Sequence, residues 1–130
     1  MDIRITSFGY LHGPAPAGAH IQLDLAQHFR DPHFDPSLRA LTARHRKVVR
    51  AVRNTPGIRQ LLAATVAQAQ SYARGPGAGQ YPLHIAVGCA GGRHRAAVTA
   101  YLLARRLRRR GHQVDLQHRD MHRPVVEHAA

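Results

Sequence analysis

Residues 82–95 read Pro82-Leu83-His84-Ile85-Ala86-Val87-Gly88-Cys89-Ala90-Gly91-Gly92-Arg93-His94-Arg95. The first seven are short, apolar and β-branched enough for a largely buried strand. Gly88 to Gly92 form a glycine-rich turn. The next stretch predicts a helix over about 93–110, because Ala96, Ala100, Leu103 and Leu107 share one face while Arg105, Arg108 and Arg109 share the other. Gly111 suits the position just past a helix end. Residues 113–117, Gln-Val-Asp-Leu-Gln, alternate as a strand does. Strand, helix and strand in this order make a crossover unit, and crossover units pair their strands in parallel.

Working outward gives the same class. Residues 2–8 alternate polar and apolar and predict a strand, and residues 20–25 predict a second, short one. Gly9 to Gly18 reads as a loop, and Asp31-Pro32-His33-Phe34-Asp35-Pro36 as a turn-rich segment. A helix is expected over 41–53, with Leu41, Val48, Val49 and Val52 inward and Arg46, Arg50 and Arg53 outward. Thr55-Pro56 suits a cap and first helical position, so a second helix is expected from there to about Ala73. Gly75 to Gly79 reads as a surface loop. The expected fold class is α/β, a small mostly parallel sheet flanked by helices. One domain over 1–119 and a ragged tail over 120–130 complete the expectation.

Composition narrows the function. The chain has 130 residues, 19 of them Lys or Arg and 7 Asp or Glu, for a formal charge of +12 with eleven histidines neutral. No acidic residue lies between Pro36 and Val114, a stretch with fifteen basic ones. Such a surface suits RNA or an acidic protein, because neutralised phosphates release counterions. Arg46, Arg50, Arg53, Arg105, Arg108 and Arg109 are the expected nucleic-acid contacts. Three Phe, four Tyr and no Trp offer few stacking platforms for single strands. No apolar run approaches the roughly 20 residues of a membrane span. The start, Met1-Asp2-Ile3-Arg4-Ile5-Thr6, has no basic region followed by an apolar core, and the single cysteine excludes an intrachain disulfide framework. The expected location is cytoplasmic.

The turn carries the candidate chemistry. Glycines let a backbone approach a ligand, and a helix N-terminus adds partial positive charge. Arg93 and Arg95 can bind phosphate or carboxylate in bidentate fashion. The turn therefore predicts an anion site built from Gly88, Cys89, Ala90, Gly91, Gly92, Arg93, His94 and Arg95. A nucleotide P-loop needs Gly-Lys-Ser/Thr, and Gly92-Arg93-His94 does not supply it. Five residues separate Cys89 from Arg95, which is the spacing of cysteine-dependent phosphatases. In that alternative Cys89 is the nucleophile, Arg95 holds the phosphoryl oxygens, and Asp24, Asp31, Asp35 or Asp120 supplies the acid. Gly88 and Ala96 depart from that pattern. No histidine pair has a zinc-protease frame, so neither metal nor cofactor is expected.

The same turn resembles that of the RapZ family C-terminal domain, which reads approximately Gly-Cys-Thr-Gly-Gly-x-His-Arg-Ser. Three further segments match in order: Ser7 to Gly13, Asp24 with Asp31-Pro32-His33, and the closing strand with His118-Arg119. The resemblance runs from about Ile5 to Arg119. It implies an α/β domain, a pocket for a small phosphorylated metabolite such as glucosamine-6-phosphate, RNA or protein partners, and a homo-oligomer. It also adds His12 to the pocket beside Gly91, Gly92, His94 and Arg95. Ala90 and Ala96 replace the family's hydroxyl residues. The long members' nucleotide-binding domain has no counterpart in these residues, and their nucleotide activity is not carried over.

Overall fold

The computed structural model describes residues 1–126. Strand β1 (Asp2–Gly9) leads through a 3-10 turn at Tyr10–His12 to β2 (Ile21–Asp24). Helices α1 (Arg46–Arg53) and α2 (Ile58–Ala73) follow, then β3 (Leu83–Cys89), α3 (Arg95–Arg109) and β4 (Gln113–His118). The sheet order is β2-β3-β1-β4, and every pairing is parallel. Both helical crossovers run the same way across that order. Right-handed connections therefore put all three helices in one layer on one face.

The alternation along each strand decides what that layer covers. Ile3 and Ile5 on β1, with Leu83, Ile85 and Val87 on β3, are buried against Val48, Val52, Ile58, Leu62, Leu103 and Leu107 of the helices. The second face is polar at its lower end, with Asp2, Arg4, Gln22 and Asp115 exposed. At its upper end it buries Phe8. Tyr10 packs edge-on against that ring at 4.8 Å, and the Arg119 guanidinium lies 5.3 Å from its centroid. Gly88 makes this possible, since a Cβ there would lie 2.4 Å from the Phe8 ring.

Three expectations are corrected. The first helix begins at Arg46, not at 41. The carbonyls of Ala40 and Leu41, which a helix from 41 would use internally, accept instead from Arg93 and His94. His45 caps the shorter helix, its Nδ1 accepting from the Lys47 amide. Thr55 does not cap the second helix: its hydroxyl donates back to the Ala51 carbonyl, and α2 starts after Gly57, whose φ of +94° is open to glycine. Finally, the segment after Arg119 is not ragged at its start. Asp120 and Met121 are buried, and Asp120 Oδ2 accepts from the Gly9 amide at 2.8 Å. Residues 127–130 of the expected tail lie outside the described residues.

Candidate functional site

In an all-parallel sheet every strand points its carboxyl end the same way, so the four following loops gather at one edge. Here they enclose a hollow of about 60 Å³. The loop after β1 contributes Leu11 and His12, and that after β2 contributes Asp31 and His33. The turn after β3 supplies Cys89, Ala90, Gly91, Arg93, His94 and Arg95; the segment after β4 supplies Arg123, Val125 and Val126. Larger hollows lie elsewhere among the described residues, and this turn borders none of them.

The glycines of the turn have separate jobs. Gly92 has φ +75°, and a Cβ on it would meet the Gly9 backbone at 2.7 Å. Gly9 in turn admits no side chain, because its Cβ would lie 2.4 Å from the Gly91 carbonyl carbon. Gly88 serves Phe8. Gly91 faces open space: a methyl group on it would have no neighbour within 4 Å among the described residues. Of the three turn glycines, only Gly91 lines the hollow.

Both turn arginines are anchored. Arg95 is only 5% exposed, and its guanidinium donates to the carbonyls of Leu25, Ala26 and Phe29 and to Asp31 Oδ2 at 3.2 Å. Its Nε is buried and has no partner among the described residues. Arg93 spans to the carbonyls of Ala40 and Leu41. His94 is buried, with Nε2 bonded to the Leu41 carbonyl and Nδ1 4.0 Å from Asp31 Oδ1. Burial holds its pKa below the ordinary histidine value, against smaller opposing effects of Leu41 and Asp31. Among the described residues, the amides of Gly91, Arg93 and His94 find no hydrogen-bond partner within the protein. The residues that carry these donors line the hollow together with Arg123 and one acidic residue, Asp31.

Cys89 lines the hollow as well. Its Sγ is buried and accepts from the amides of Gly92 at 3.2 Å and Ala96 at 3.4 Å. Burial pushes its thiol pKa up, despite the lowering effect of those amides and Arg95. A thiolate nucleophile needs the opposite shift and an arginine free to hold phosphoryl oxygens. The raised thiol pKa and the four protein contacts of Arg95 count against the phosphatase alternative.

Five of the six arginines expected at a nucleic-acid interface come together. Arg46, Arg50, Arg53, Arg105 and Arg108, joined by Arg44, line a groove of about 750 Å³ between α1 and α3. Among the described residues no carboxylate lines it. Arg109 lies on the far side of α3, beside Arg74, Arg106 and Arg110. His118 forms part of the groove wall and bonds Ser7 Oγ through Nδ1 at 2.6 Å. Its pKa is lowered, first by burial and then by Arg44 and His122.

Sequence reasoning missed Asp31 as the organiser of the site and Asp120 as its pin. Asp31 accepts from the His33 amide and pairs with Arg95, so one carboxylate fixes two loops. The signal was available: Asp31-Pro32-His33 is an Asx turn, and Asp31 lies close upstream of the acid-free stretch. Asp120 carried no such signal, because the backbone it pins, at Gly9, is 111 residues away.

The fold and the hollow together define an open parallel α/β domain with its candidate site at the carboxyl ends of the strands. The family model of the RapZ C-terminal domain matches residues 1–122, and the chain belongs to that family. It is 39% identical over 127 residues to a protein of Rhodospirillum centenum named nucleotide-binding protein, covering 95% of this chain and 37% of that protein. A second nucleotide-binding protein, from Paramagnetospirillum magneticum, is 34% identical over 132 residues, covering 93% of this chain and 39% of that protein. A third, from Rubrobacter xylanophilus, is 38% identical over 127 residues, covering 93% and 41% respectively. The chain spans about two-fifths of the length of these curated relatives. No helix among the described residues is long and apolar enough to cross a membrane.

Proposed function

We propose that this is a regulatory binding domain that seats the oxyanion of a small phosphorylated metabolite at Gly91–Arg95. One observation carries the reading: Gly91, Arg93, His94 and Arg95, which line the hollow, hold backbone amides and a buried Nε without partners among the described residues. Unsatisfied donors at a helix start suit a tetrahedral anion. His12 and His33 line the same hollow as further donors. Arg95 acts mainly by fixing the hollow, since four of its contacts go to the protein. Calorimetry with inorganic phosphate tests the reading. One-to-one binding supports it; no heat at millimolar phosphate overturns it.

A second role rests on the α1–α3 groove. Six guanidinium groups, with no carboxylate among the described lining residues, suit RNA, whose phosphates neutralise them. RNA affinity then falls steeply with salt, and replacing Arg50 and Arg105 with Ala lowers the slope by about one to two units. Replacing Arg109 leaves the slope nearer its original value. A flat salt profile contradicts this role.

A further inference from the structure

We infer that residues 124–126 form a strap, anchored at Arg123, that decides which phosphate esters the hollow admits, an inference that rests on the oxyanion seat proposed above. The inner walls of the seat are fixed. Arg95 is clamped by three carbonyls and Asp31, Arg93 and His94 are tethered to residues 40–41, and Gly9 and Gly92 are in backbone contact. The outer wall is different in kind. It consists of Arg123, Val125 and Val126, which lie beyond the last strand.

Arg123 is held in place: its Nε lies 3.1 Å from Asp120 Oδ1, and its amide donates to the Asp120 carbonyl. Past it the described residues supply no further backbone hold. Pro124 has no amide hydrogen to donate, and among the described residues no backbone hydrogen bond is made by Val125 or Val126. Val125 is 47% exposed and Val126 39%, so both line the hollow while remaining half in water.

Size then determines what fits. A hollow of about 60 Å³ is far below the roughly 300–1,000 Å³ of sites that enclose an organic ligand. Its inner part suits a phosphoryl group rather than a whole ester. We place the carbon portion of an ester at the rim, where Val125 and Val126 stand. Inorganic phosphate fits under the strap, and a sugar phosphate binds only to the fraction of molecules whose strap has lifted about Pro124. That fraction multiplies the affinity for esters and leaves the affinity for the free anion alone.

The test compares inorganic phosphate with glucose 6-phosphate by calorimetry, on the full chain and on the full chain carrying Val125→Gly and Val126→Gly. The strap predicts that phosphate affinity changes less than about two-fold while the sugar phosphate binds about ten-fold tighter to the variant. Sugar-phosphate affinity unchanged by the two glycines overturns the strap and leaves the seat standing. An equal gain for both anions also overturns it, because the strap then does not select by size. Absence of phosphate binding to either protein overturns the seat and the strap together.

Discussion

The guanidinium of Arg95 meets the carboxylate of Asp31 at 3.2 Å, and the arginine is almost wholly buried while the aspartate is only partly so. The residue that spacing marks as an anion ligand is therefore first a structural clamp between α3 and the loop after β2. Arg95→Ala strands three carbonyls and Asp31 without their donor. Breaking a buried pair from one side costs about 3–5 kcal/mol. We expect a loss near the lower end, since Asp31 retains access to water. Urea unfolding measures it; a loss below about 1 kcal/mol contradicts the clamp.

Gly9 and Gly91 face one another across a backbone contact, and methyl groups on them have opposite consequences. Gly9→Ala places a Cβ 2.4 Å from the Gly91 carbonyl carbon. Overpacking of this kind costs about 1–3 kcal/mol. Gly91→Ala projects into open space, so its melting temperature stays close to that of the parent while phosphate binding is lost. Thermal melts and calorimetry on the two variants separate packing from function.

Met121 is 1% exposed and belongs to the main core. Met121→Ala is expected to cost about 2–5 kcal/mol, as for other buried large-to-small changes. A change indistinguishable from the parent contradicts the packing of this segment.

The pH response follows from four imidazoles, His94 buried and the other three partly buried. Burial lowers the pKa of His94, His118, His84 and His112 from 6.5. Between each folded value and 6.5 the unfolded chain binds more protons than the folded one. Stability therefore rises with pH through this window, and is lost as pH falls below 6.5 toward the folded values. His94→Gln keeps a donor for the Leu41 carbonyl and removes one titration. It should shrink the drop in melting temperature between neutral and mildly acidic buffer; an unchanged drop removes His94 from the account.

Much of this arrangement could be read in the sequence because it is periodic or local. The alternation in residues 2–8 and 113–117 placed β1 and β4, and the run from Leu83 with the apolar face from Ala96 to Leu107 placed β3 and α3. The turn between them was legible from its glycines. The start of α1 was not, because Arg93 and His94, about fifty residues away, capture the carbonyls of Ala40 and Leu41. The inward course of Arg95 was hidden for the same reason: its partners lie near residues 25–31. A basic residue shows its charge in a sequence but not which backbone carbonyls it will meet.

The central claim is that the free amides of the turn receive an oxyanion. Amide chemical shifts in 15N-labelled protein, followed as inorganic phosphate is added, test it residue by residue. Saturable shifts are expected at Gly91, Arg93 and His94, with smaller ones at His12 and His33. Shifts that do not saturate, or that fall along Arg46–Arg53 and Arg105–Arg108 while the turn stays silent, would contradict it.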